Sequence, residues 1–303
     1  MSSGKQKALI TLAVCTFVVA TSLFTFAGIR QNTATVINSV TEFLGLAAPE
    51  RSAQPEPVTP NAPEANTEPM FFVDSVILAW EPNLNLGNEV TINSSTTDTN
   101  LNSSTLSRGA GLLASTLGNA YSSTDFTASG TFVNAVANND YLQYTVSPKS
   151  GYRVSLSALD ANFRRSGTGP NAFQWQYSLD GFATAGTNIG SAISYTGTTT
   201  NGNAQAQIDL SGISALQNVA NPSVITIRLY GYGAGATTGT FAIGRLTGND
   251  LAITGSVSQI PPTITSVSPT SGSTLGGFTL TVNGTNLTGA SAVTVGGDSC
   301  PIL

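Results

Sequence analysis

Residues 172–179 read AFQWQYSL. Phe173, Trp175, Tyr177 and Leu179 fall on one side of an extended chain, and Gln174, Gln176 and Ser178 on the other, the period-two pattern of a strand with one buried face. Residues 223–230, SVITIRLY, repeat the pattern: Ile225, Ile227 and Leu229 oppose Thr226, Arg228 and Tyr230. A strand with one apolar row hides it by packing its sheet against another layer, and this chain is poor in helix signals, so the second layer is also a sheet. Similar runs at 71–80, 141–147, 152–160, 189–195, 204–210, 239–246 and 251–257 recur at the short spacing of a sandwich or barrel. The expected fold is all-β, with an antiparallel, jelly-roll-like β-sandwich over 70–258. Within it, 88–130 has few apolar residues beyond Leu106, Leu112, Leu113 and Phe126, and reads as long loops with one or two short strands.

Composition agrees with many short strands. Only 9% of residues are charged, against about 25% in ordinary soluble domains. Gly, Ser, Thr and Asn fill the gap, and Gly, Asn and Thr are poor helix formers. The chain has no histidine. That removes the commonest general base and every Ser-His or Cys-His nucleophile pair. A net charge of −5 with scattered arginines offers no basic footprint for nucleic acid, which is excluded as a partner.

The N-terminus has the three parts of an export signal over residues 1–27: Lys5 and Lys7, an apolar run from Ala8 to Phe26, and the cleavable Thr25-Phe26-Ala27. The run is also as long as one membrane span, so a retained anchor is the alternative, and contact with a membrane is expected only through this N-terminal apolar helix. Residues 28–69 follow as a short amphipathic helix, with an unstructured start to the mature chain as the simpler alternative, and a linker. The linker carries Pro49, Pro55, Pro57, Pro60, Pro63 and Pro69 with several glutamates and almost nothing to bury.

At the other end, 262–303 reads PTITSVSPTSGSTLGGFTLTVNGTNLTGASAVTVGGDSCPIL. Pro269 and Gly272 mark a tight turn. Phe278, Leu280 and Val282 alternate with Thr279, Thr281 and Asn283, Asn283-Gly284 is a hairpin-type dipeptide, and Val293 and Val295 begin another strand ending at Gly296-Gly297. In its Pro-x-x-Gly turn, double glycine, Gly-Thr-Asn-Leu segment and Val-x-Val-Gly-Gly ending, this stretch resembles the IPT/TIG family. The resemblance implies a partial immunoglobulin-like sandwich used as a spacer or adhesion unit outside the cell, with no catalytic residues. It also implies that about half of such a sandwich is present, as at the front end of a longer protein. In some IPT/TIG modules a cysteine after the Gly-Gly strand forms a disulfide. Cys300 would then lack its partner in this chain, and the plainer alternative is a small apolar residue, partly buried.

The main domain resembles an uncharacterised β-sandwich module of large exported bacterial proteins. The resemblance lies in Leu106-Ser107-Arg108-Gly109-Ala110-Gly111-Leu112, in Phe163 through Pro170, and in Tyr177-Ser178-Leu179-Asp180-Gly181-Phe182. It implies location and architecture, and no activity. The last of these segments is similar to the Asp-box turn of sialidase propellers but places Gly directly after Asp, and a plain Asp-Gly hairpin explains it better.

The candidate ligand-binding residues are Gln174, Gln176, Arg228 and Tyr230, on the strand faces opposite the apolar rows, where amide, guanidinium and phenol groups could line a groove for sugar. Tyr195 and Tyr232 would add stacking surfaces. The plainer alternative is an ordinary polar outer sheet face. Arg164 and Arg165 form the densest positive spot, read either as capture of an acidic glycan or as solvated loop arginines beside Asp160. No cofactor is expected. Asn138, Asn139 and Asp140 leave one structural calcium open, without the spacing of a dedicated calcium loop. Most of the main-domain acids fall at strand ends or turns, where Asp is common, and no enzyme is expected.

These features are expected of an exported, non-enzymatic surface protein with an adhesion or spacer role, secreted or held at the cell surface, with polysaccharide or a surface molecule as partner. The alternative is the non-catalytic, carbohydrate-binding leading region of a larger secreted hydrolase.

Overall fold

The computed structural model describes residues 7–11, 74–272, 277–287, 290, 293–295 and 298–300, with 7–11 and 298–300 as backbone alone. The Pro/Glu-rich linker, the export signal apart from 7–11, and Gly296-Gly297 lie outside the described residues. These fall into two compact units, one within 70–261 and one holding Lys7–Thr11 with the segment from Pro262.

The larger unit is two antiparallel sheets. One runs Thr187–Ser194, Ala172–Ser178, Ile225–Tyr232, Tyr141–Val146, Thr105–Arg108, Thr91–Asn93. The other runs Thr96–Thr97, Ser75–Trp80, Leu251–Gln259, Tyr152–Arg165, Phe241–Gly244, Ala120–Thr124, Leu113–Ala114. Three two-residue strands, Asn203–Ala204, Ile208–Asp209 and Val219–Ala220, pair along Tyr152–Arg165.

The apolar rows meet in one core. Phe173, Trp175, Ile225, Ile227 and Leu229 come from the first sheet, and Val154, Leu156, Phe163, Phe241 and Ile253 from the second. Ring contacts tie the layers together: Phe173 lies 4.4 Å from Phe241 and 4.9 Å from Phe163 between centroids. The 172–179 row ends as the strand does, with Tyr177 half-buried and Leu179 exposed.

Residues 88–130 hold more strand than expected. Five short strands occur there: Thr91–Asn93, Thr96–Thr97, Thr105–Arg108, Leu113–Ala114 and Ala120–Thr124. Their signal was hidden because a polar group organises them. The half-buried Arg108 guanidinium stacks 3.8 Å over Tyr121 and donates to the carbonyls of Gly87, Glu89 and Ser122 and to Ser123 Oγ. Buried Ser122 and Ser123 stand where an apolar pattern would show an aliphatic residue.

A helix absent from the sequence-based expectations spans Phe132–Asn138, closed at its start by a capping box between Thr131 and Asn134 and at its end by left-handed Asn139. Two turns are too short for a 3.6-residue period to declare itself.

In the smaller unit, Thr263–Ser268 pairs with Thr279–Thr285, and Val293–Val295 with Asp298–Cys300. Leu280 and Val282 are buried, as their alternation indicated, and Val267, Phe278, Leu287, Val293 and Val295 pack against them. Asn283-Gly284 is not a turn: both residues lie inside a strand. A Cβ on Gly284 would run into the Thr263 carbonyl, so the glycine serves close strand approach near a register shift. Within the expected export signal, Lys7–Thr11 is a strand paired with Thr279–Thr285, and the rest of the expected N-terminal helix lies outside the described residues. Thr279–Thr285 is therefore the central strand of three, with Lys7–Thr11 on one edge and Thr263–Ser268 on the other. No described helix is long and apolar enough to cross a membrane.

Candidate functional site

The outward side of the six-stranded sheet is not an open polar face. Gln174, Gln176, Ser178, Thr226 and Tyr230 are all buried. The Phe132–Asn138 helix and the 179–186 connection both border this face, leaving a cleft of about 640 Å³. Gln176, Arg228 and Tyr230 line it together with Phe132, Val133, Val136, Ala137, Phe182 and Gly186.

Arg228 is the centre of this cleft. Its guanidinium lies 3.9 Å from the ring centroid of Tyr141 and 3.9 Å from that of Phe182. Nε donates to Gln143 Oε1 at 2.7 Å and Nη1 to the Tyr230 hydroxyl at 3.2 Å. Tyr230 is in edge contact with Tyr141 and Phe132, and burial raises its pKa, keeping the phenol protonated. Gln176 is held by its amide, whose Nε2 donates to Gly186 O and Asn188 Oδ1.

Phe182 reaches Arg228 because of the loop before it. Ser178 Oγ donates to Asp180 Oδ1 at 2.6 Å and accepts from Phe182 N at 2.8 Å, while the Thr184 hydroxyl and backbone N–H both donate to Asp180 Oδ2. These bonds, from Ser178 first and Thr184 next, pull the Asp180 pKa down to about 2. The network holds Phe182 at φ 65, a left-handed conformation unusual for a bulky side chain. Gly186 makes room for the ring, since a Cβ there would collide with it. The Ser-Leu-Asp-Gly-Phe segment thus works as a positioning loop within a hairpin.

The structure brings three of the six candidate residues together: Gln176, Arg228 and Tyr230. Gln174 serves the sheet, donating to the carbonyls of Trp175, Ile189 and Gly190 where the pairing register shifts. Arg164 and Arg165 lie on the other sheet, at the end of Tyr152–Arg165. Arg165 is 6% exposed and donates to Thr196 O, Gly167 O and Gly169 O, which pins the 166–170 turn; Arg164 reaches Thr240 Oγ1. Asp160 is engaged by Gln207 rather than by either arginine.

Tyr195 is buried against Phe163 with its hydroxyl on Phe163 O, while Tyr232 packs against Phe132 beside the cleft. Asn138 and Asp140 form a polar knot around Thr127, in which Asp140 Oδ2 accepts from both the Thr127 N–H and its hydroxyl. Cys300 is described as backbone only.

The residues that sequence reasoning missed are the walls: Phe132, Val133 and Val136 from the helix, and Phe182 from the loop. One signal was available, the apolar run Phe132-Val133-Asn134-Ala135-Val136-Ala137 directly after a Thr131 cap.

The described residues define an all-β protein of packed antiparallel sheets, with a separate strand unit at its C-terminal end. Residues 262–303 of that end match the IPT/TIG domain, an immunoglobulin-like fold found in surface and extracellular proteins. No curated protein matches the chain.

Proposed function

We propose that this chain is a non-enzymatic, exported surface protein in which the 70–261 sandwich contacts a saccharide through the Arg228 cleft, while the IPT/TIG segment acts as spacer or adhesion unit. The observation that carries this reading is the cleft: apolar walls bordering a floor of guanidinium, amide and phenol groups. Such a mixture, in a concavity between about 300 and 1,000 Å³, is the usual make-up of a small-ligand site. Among the described residues the lining contains no carboxylate, cysteine or histidine, and burial keeps the Tyr230 phenol protonated, which supports binding over acid–base chemistry. Three aspartates are engaged within the protein: Asp180 with Ser178 and Thr184 and Asp209 with Ser211 in local turns, and Asp250 with Asn162 across the sheet. The IPT/TIG match supports a place outside the cell or on its surface.

A glycan array probed with the full chain tests this, followed by a reducing-end assay on every glycan retained. Retention without cleavage is expected. No retention of any glycan would remove the ligand-binding role, and turnover would remove the non-enzymatic one.

A further inference from the structure

We infer that Arg228 is an anion-recognition group and that the saccharide the cleft takes is acidic, with a uronic-acid carboxylate seated on the guanidinium; this rests on the reading of the cleft as a sugar site.

The rings of Tyr141 and Phe182 each lie 3.9 Å from the guanidinium carbon, so two aromatic side chains shield the group and its remaining N–H donors are what a ligand can meet. Gln143 takes Nε and the Tyr230 hydroxyl takes one hydrogen of Nη1. Among the described residues, Nη2 has no hydrogen-bond partner and no carboxylate pairs with Arg228. A planar fork of donors, partly stripped of water by two aromatic rings and lacking a counter-ion, matches the geometry and charge of a carboxylate.

The neighbours fit what surrounds a carboxylate on a sugar ring. The buried Tyr230 hydroxyl accepts from Arg228 and so fixes the guanidinium, and Gln176 spends its Nε2 within the protein, leaving Oε1 to accept from a sugar hydroxyl. Val133 is 73% exposed, and with Val136 and Phe182 it offers apolar surface to the C–H face of a pyranose.

An acidic peptide fits less well. The floor strands, Ala172–Ser178 and Ile225–Tyr232, are each paired on both edges, so no backbone N–H or C=O remains for strand addition. Recognition must run through side chains. The left-handed Phe182 adds an independent argument: a bulky residue held in that conformation by a four-bond network is the kind of local strain that gathers at binding sites.

The test is calorimetric titration of the full chain with trimers of galacturonate, glucuronate and mannuronate, with neutral galactotriose and pentaglutamate as the other arms. At least one uronate trimer should bind at least about tenfold tighter than galactotriose, and Arg228→Gln should remove that preference, with Arg228→Lys restoring only part of it. Val133→Asp alters a residue already in solvent, so the fold is kept, and the added negative charge should weaken uronate binding by about fivefold or more. Equal binding of neutral and acidic trimers, with Arg228→Gln unchanged, would overturn the anion role while leaving a saccharide site standing. Binding of pentaglutamate with no sugar bound would overturn the saccharide class. Failure of every arm would overturn the inference and the sugar-site reading together.

Discussion

The two sheets of the sandwich meet through Phe173 and Phe241, whose ring centroids are 4.4 Å apart and whose side chains are fully buried. The contact joins residues on strands of different sheets, so it exists only if those sheets pack face to face. Phe173→Leu and Phe241→Leu each keep an apolar side chain and should each cost about 1–2 kcal/mol, within the common range for core changes. With a urea slope of about 2 kcal/mol/M, each lowers the midpoint by about 0.5–1 M. The double variant should cost less than the two singles combined, because the ring–ring attraction, about 0.5–1.5 kcal/mol beyond buried area, is lost only once. Tryptophan fluorescence is a suitable probe: the chain has two tryptophans, and both Trp80 and Trp175 are buried in this sandwich. Additivity to within about 0.3–0.5 kcal/mol would mean that the residues do not touch, and the sandwich described above would be wrong.

Further expectations concern the 178–186 loop and the buried Asp250. Asp180→Asn loosens the Ser178–Thr184 network that seats Phe182, and should weaken uronate binding at neutral pH by about two- to fivefold, the worth of an exposed cation–π contact, with little change in the urea midpoint. In the wild type, the carboxylate's contribution to loop order is present above the ordinary Asp value and is lost as pH falls towards about 2, which loop-amide NMR shifts would follow. Gly186→Ala should push the Phe182 ring off Arg228 and produce a similar binding loss while the fluorescence midpoint holds; unchanged binding would show that Phe182 has no part in the site. Asp250 behaves oppositely to Asp180, since burial raises its pKa despite bonds from Asn162 and Leu246. Its folded form holds a proton that the unfolded chain has released, so stability falls as pH rises from the ordinary Asp value through the raised one. Asp250→Asn keeps the Oδ1 acceptor and should flatten that slope in urea midpoints taken from pH 3 to 7, whereas an unchanged slope would assign the pH dependence to another group.

Sheet structure was legible wherever an apolar row alternates with polar residues. Phe173 and Trp175, and the Ile225-Ile227-Leu229 row, face the core as their spacing requires, and so do Leu280 and Val282 in the IPT/TIG segment. What period reading misses is structure organised by polar groups. Arg108 gathers Gly87, Glu89, Ser122 and Ser123 into one corner of the fold, and those residues carry no apolar signal. The site was half legible for the same reason. Placing Gln176, Arg228 and Tyr230 on one face needs only strand alternation. Recognising that face as the floor of a cleft needs a two-turn helix and a loop whose shape depends on Ser178 and Asp180 side chains. The same alternation groups Gln174 with them, although its amide is consumed by a register shift that no spacing rule reveals. Arg164 and Arg165 stand out as adjacent charges in sequence, yet Arg165 is turned onto backbone carbonyls.

Chemical-shift mapping offers the most direct trial of the cleft as the place where this protein meets its ligand. When the isotopically labelled full chain is titrated with the tightest-binding uronate trimer, the perturbed amides should cluster at Val133–Ala137, Gln176, Phe182–Gly186 and Arg228–Tyr230, and the same trimer added to Arg228→Gln should leave them still. Perturbations centred on Arg164 and the 196–203 loop, or none at saturating trimer, would contradict the account.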